Sequence, residues 1–132
     1  MWRCIVPGAA GLLLAAMGTA AAQPVPGQDL PLRCVGTEPF WHLDIAGGEA
    51  TYGSFESLMG EPVTYEILSA AAAVGMTNPW VLRARAPDGA EATFALLDDA
   101  ECSDGMSDNI FRFEILVIRA EDALSGCCDP AG

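Results

Sequence analysis

The sequence predicts an all-β fold: a small antiparallel β-barrel, or an open meander, of about seven strands stapled by two disulfides. Three observations carry that expectation. Apolar residues recur at every second position in short runs, the period of a strand half buried in a sheet. Glycine, proline and aspartate separate the runs at spacings suited to hairpins. Four cysteines beyond the N-terminal region, Cys34, Cys102, Cys127 and Cys128, give an even number of thiols for cross-linking. Closing such a sheet removes its exposed edges, so a barrel is the first choice and a sandwich the second.

Residues 1–22 read as a secretory signal peptide. Arg3 supplies the positive charge, Ile5 to Ala22 is apolar or small around Leu12-Leu13-Leu14, and Ala20-Ala21-Ala22 fits a small-residue cleavage site. The uninterrupted apolar core is shorter than the about 20 residues a spanning helix needs. Cys4 precedes that core, whereas a lipidated cysteine would follow it. Membrane attachment is therefore expected only if the signal segment is retained. Cleavage takes 22 of 132 residues and leaves 110, one domain's worth. The proline-rich stretch 23–31 reads as a flexible N-terminal arm, and 32–132 as a single β domain.

The strands follow in order. Arg33 to Thr37 leads into the first, which runs from Phe40 with Trp41, Leu43 and Ile45 on one face and His42 and Asp44 on the other. Gly47-Gly48 makes a tight turn, and Glu49 to Phe55 returns with Tyr52 as its anchor. Val63, Tyr65 and Ile67 alternate in a third strand. Ser69 to Val74 fits either a short helix or an edge strand, and the segment through Pro79 breaks it. Trp80 to Ala86 carries Arg83 and Arg85 on its wet face, and Asp88-Gly89 is the strongest hairpin signal. Ala92, Phe94 and Leu96 then face inward, and Asp98 to Asn109 reads as an acidic loop around Cys102. Phe111 to Arg119 is the longest expected strand, with Phe111, Phe113, Ile115 and Val117 inward. Leu116 and Ile118 on its other face suggest cover on both sides there. Leu124 to Cys128 is the last.

Bonding Cys127 to its neighbour Cys128 would require a strained ring, since adjacent Cβ atoms normally point apart. Two pairings remain. Cys102–Cys127 with Cys34–Cys128 is preferred, and the swapped pairing is second. An even count in a small exported chain points to an oxidising compartment, the periplasm or the exterior. Charge narrows the partners. With Arg3 removed, five arginines against 18 acidic residues give 5 − 18 = −13. Such a surface repels nucleic acid and anionic lipid, and leaves a basic protein, an envelope component or a cation as the allowed kind of partner.

The candidate binding residues are Glu38, Phe40, Trp41, Asp104, Met106 and Asp108, from Gly36-Thr37-Glu38-Pro39-Phe40-Trp41 and Cys102-Ser103-Asp104-Gly105-Met106-Ser107-Asp108. The disulfides would bring Glu38, Trp41 and 102–108 together at one end of the barrel. Glu38 is expected to accept backbone N–H bonds from a neighbouring loop, and Trp41 to fill core. Asp98, Asp99, Glu101, Asp104 and Asp108 supply oxygens of the kind calcium takes, but their spacing is not that of an EF-hand. Glu38 with Asp104 has the makings of an acid–base pair. His42 is the single histidine and falls on a wet face, so no catalytic residue is assigned and no cofactor is expected. The expected function is that of an exported β domain that binds a protein or envelope component, not an enzyme. A calcium-stabilised structural module is the alternative, and a carboxylate-dependent enzyme the third reading.

The same two motifs, with the closing Gly126-Cys127, resemble an uncharacterised family of bacterial envelope proteins of the predicted-membrane-protein or putative-lipoprotein type. Its members often stand beside small barrel domains of the META type or like the membrane-bound inhibitor of c-type lysozyme. The resemblance covers most of the mature chain and implies an exported small β domain, with no activity to carry over. The lipobox of the lipoprotein members is absent here.

Overall fold

Period-two alternation becomes a ring of strands. The computed structural model describes residues 24–54, 61–75 and 78–131, besides Gly8 and Gly11; of Asp99 and Ala100 it describes the backbone alone. The signal-peptide reading falls outside the described residues apart from those two glycines. Eight strands follow one another: β1 (Leu32–Thr37), β2 (Phe40–Ala46), β3 (Glu49–Ser54), β4 (Val63–Ala72), β5 (Trp80–Arg85), β6 (Glu91–Ser103), β7 (Ile110–Arg119) and β8 (Ala123–Pro130). Each pairs antiparallel with the next, and β8 returns to β1, so the sheet is a closed barrel.

The inward positions make the core. Leu43 and Ile45 of β2, Phe94 and Leu96 of β6, and Phe113 and Ile115 of β7 are completely buried. Each such side chain stabilises the fold by about 1.5–3 kcal/mol relative to exposure. Tyr65 meets the Phe94 ring edge-on at 5.9 Å between centroids. Arg119, the last inward residue of β7, lies 4.2 Å over the Tyr52 ring and closes the end of the barrel where β7 turns into β8. Asp122 holds its guanidinium through bonds of 2.8 and 2.6 Å. Burial pushes the Tyr52 and Tyr65 phenols above their usual range, so both stay neutral there.

Both disulfides form in the preferred pairing, Cys34–Cys128 and Cys102–Cys127. Cys34 and Cys128 are direct cross-strand partners, so their bond stitches the seam where β8 meets β1.

Several expectations change. The count is eight strands, because Leu32–Thr37 is a strand and not a lead-in. The stretch expected as a flexible arm is folded from Pro24 onward. Val25 O accepts from the N–H groups of Gln28 and Asp29, and Pro26 and Gly27 are buried against the barrel. A Cβ at Gly27, whose φ is +81°, would meet Leu82 and Ile45. Of the two readings for Ser69–Val74, the strand holds and the helix does not: β4 runs on to Ala72, and beyond Glu66 its ladder is with β5 alone among the described strands. Its register shifts between Ile67 and Ser69. That extra residue leaves Leu68 exposed and lets Ala70 pack against the core. The acidic segment from Asp98 to Ser103 is strand, and it makes β6 the longest at 13 residues. Leu116 and Ile118 are 41% and 44% exposed, so the described residues leave that face partly open.

Candidate functional site

The far part of the β6–β7 hairpin builds the site. Pairing between β6 and β7 is regular from Ala92 to Asp98, shifts, and resumes at Cys102. Beyond that irregularity the hairpin bends back across the outside of the barrel. Cys102 bonds to Cys127, whose side chain points outward because its neighbour Cys128 points into the core. Thr37 Oγ1, on the outer face of β1, donates to the Asp104 carbonyl at 2.9 Å.

The result is a groove of about 410 Å³. Its wall is the outer face of β1, β8 and β7, with Val35, Thr37, Ser125 and Glu114; its roof is Cys102 to Met106, and Glu38 stands on its rim. Gly36 and Gly126 form the floor. Both need to be glycine for space: a Cβ at Gly36 would overlap the Trp41 indole, and one at Gly126 would overlap the Val35 carbonyl and approach the same ring. Trp41 therefore lies directly behind the groove, inside the barrel and 2% exposed.

The turn of the roof is held by its own bonds. The Asp104 carboxylate accepts from Met106 N at 2.9 Å, Ser107 N at 2.8 Å and Ser107 Oγ at 2.9 Å. The two backbone bonds, with the Ser107 hydroxyl, hold its carboxyl below the usual range. Gly105 takes the positive φ of +77° that the turn needs.

Of the residues expected to bind, Glu38, Asp104 and Met106 line this groove; Phe40 and Asp108 do not, and Trp41 sits behind it. The grouping is on the outer wall, not across an open end of the barrel. Glu38 is exposed, and none of the described backbone N–H groups donates to it; the carboxylate that takes such bonds is Asp104. The acidic segment does not converge as a calcium loop would. Asp98 is drawn to Arg112 at 2.9 Å, Asp104 closes its own turn and Asp108 is exposed. Among the described residues no group of three or more His, Cys, Asp or Glu is placed to hold a metal ion. The Asp99 side chain lies outside the described residues.

Sequence reasoning missed Glu114 and Ser125. Glu114 lies between the inward Phe113 and Ile115 and opposite Cys127, so it faces the groove. Among the described residues neither Glu38 nor Glu114 has an ion-pair partner, while Arg33, Arg85, Arg112 and Arg119 are each paired elsewhere. The groove thus holds uncompensated negative charge. A second cavity, about 460 Å³ beside Pro24, Leu30 and Trp80, has its polar groups turned on one another: Asn78 bonds the Asp98 backbone, and Arg112 its carboxylate.

The fold and site define a disulfide-stapled, eight-stranded antiparallel barrel with an acidic groove on its outer wall. Comparison with protein-family models, with curated proteins and with solved structures finds no match.

Proposed function

We propose that this chain is an exported, periplasmic binding domain, and that its groove takes a cationic segment of a protein or envelope component. The groove itself carries the reading: Glu38 and Glu114 stand beside a roof whose Asp104 carboxylate is fixed by its own turn. Uncompensated carboxylates at close quarters favour lysine or arginine side chains and speed their arrival. The Met106 side chain, 65% exposed at the roof, offers an adaptable apolar contact for the stem of such a side chain. The two disulfides fit an oxidising compartment. The motif resemblance to bacterial envelope proteins points the same way.

Short lysine- and arginine-rich peptides, titrated into isotopically labelled protein at low salt, test this. The amides of Thr37, Gly105, Met106 and Ser125 are expected to shift, and Trp41 fluorescence to change with them. An exposed ion pair contributes about 0.2–1 kcal/mol, so Glu38→Gln or Glu114→Gln should weaken binding up to about fivefold. Shifts confined to other faces, or none at all, would overturn the proposal.

A further inference from the structure

We infer that Cys102–Cys127 is a thiol-exchange site: a dithiol reductant opens it in the folded protein, while Cys34–Cys128 stays closed. Strand alternation sets the difference. Cys127 and Cys128 are adjacent in β8, so their side chains leave opposite faces of the wall. Cys34 and Cys128 are both 0% exposed, inside the barrel and across the β1–β8 seam. Cys102 and Cys127 instead line the groove, and Cys102, at 9% exposed, is the more open of the two.

Exchange proceeds by attack of a thiolate along the reach of the groove. One sulfur of the dithiol attacks Cys102 Sγ, the Cys102–Cys127 bond breaks, and Cys127 leaves as a thiolate. The reagent's second thiolate then attacks its own sulfur in the mixed disulfide. This releases Cys102 and closes a cyclic disulfide on the reagent. Two electrons and two protons pass from the dithiol to the protein, which ends with two thiols. In the closed disulfide Cys102 Sγ lies 3.5 Å from the Gly126 carbonyl oxygen, so the freed thiol has an acceptor close by for a weak S–H bond. The roof loses its covalent anchor and keeps the Thr37–Asp104 bond as a polar tie to β1. The consequence is a groove whose roof responds to the thiol–disulfide poise of its surroundings.

Graded reduction with dithiothreitol, trapping with iodoacetamide and peptide mapping test this on the exported protein with both disulfides formed. Two alkyl groups are expected, on Cys102 and Cys127, with the near-ultraviolet circular dichroism of the barrel kept. Cys34 and Cys128 should label at least about 1,000-fold more slowly, because they become accessible only in the rare unfolded molecules. Labelling of all four cysteines together, or of Cys34 and Cys128 first, would overturn the assignment. The double variant Cys102→Ser/Cys127→Ser should fold with an unchanged barrel spectrum and exchange its hairpin amides at 103–109 about tenfold faster; a variant that unfolds also overturns it. Labelling needs no occupant in the groove, so failure of cation binding and failure of selective reduction are separate results.

Discussion

Gly36 and Trp41 form one unit across β1 and β2, since they are register partners and the indole occupies the place of a Cβ. Gly36→Ala forces the ring or the strand to move, and overpacking of this kind costs about 1–3 kcal/mol. The variant should melt several degrees lower, and pairing it with Trp41→Phe should recover part of the loss, because the two changes share one space. A thermal-melt double-mutant cycle reads both. Arg119 and Asp122 form the second such unit. Its Arg119 hydrogen bonds hold the Asp122 carboxyl below the usual range. A carboxylate pKa lowered by folding stabilises fully above its unfolded value, about 3.9, and the contribution disappears as pH falls through the folded value. Melting temperature should therefore decline below about pH 4. Asp122→Asn should cost about 1 kcal/mol at neutral pH, for a partly exposed pair, and should flatten that acid decline.

At the scale of the element, the β6–β7 hairpin is the part whose shape depends most on local bonds. Asp104→Ala removes three acceptor contacts and leaves the barrel core untouched. Hydrogen exchange at Met106 and Ser107 should quicken, while the melting temperature moves by only about 1 °C or less; a large drop would mean that the turn supports the whole barrel. The hairpin also marks where the sequence stops being legible. β2, β5 and the inward face of β6 could be read directly, because Trp41-Leu43-Ile45 and Ala92-Phe94-Leu96 alternate cleanly. β1 could not, since Cys34 and Gly36 give its inward face little hydrophobic signal. The strand through Asp98–Ser103 was hidden by its acidic side chains, which the backbone pairing of β6 overrides. Leu68 broke the alternation of β4 by one residue, which left four alanines looking ambiguous. The bend of the hairpin over the outer wall depends on Cys102–Cys127, and cysteine spacing leaves that pairing one of two choices. Glu114 becomes visible only once the register with Cys127 is known.

For the molecule as a whole, the closing seam matters most. Cys34–Cys128 spans 94 residues of sequence, and loop-closure entropy assigns a cross-link of that length about 4.7 kcal/mol. The Cys34→Ala/Cys128→Ala variant should lose about 3–5 kcal/mol, read from chemical denaturation at fixed pH. That is a large part of the about 5–15 kcal/mol net stability of a domain. Reduction of both disulfides should unfold the barrel or bring it to the edge of unfolding. The same seam brings the ends of the barrel chain together: Ala131 N donates to Pro31 O at 2.9 Å, beside the pairing of Leu32 with Pro130. The order in which the strands are synthesised is then separable from the order in which they stand around the ring. A circular permutant that joins residue 131 to residue 24 through a short glycine linker, and opens at Asp88-Gly89, should give the same barrel by circular dichroism. It should also form the same two disulfides, with the covalent break moved to the opposite pole and the groove left whole.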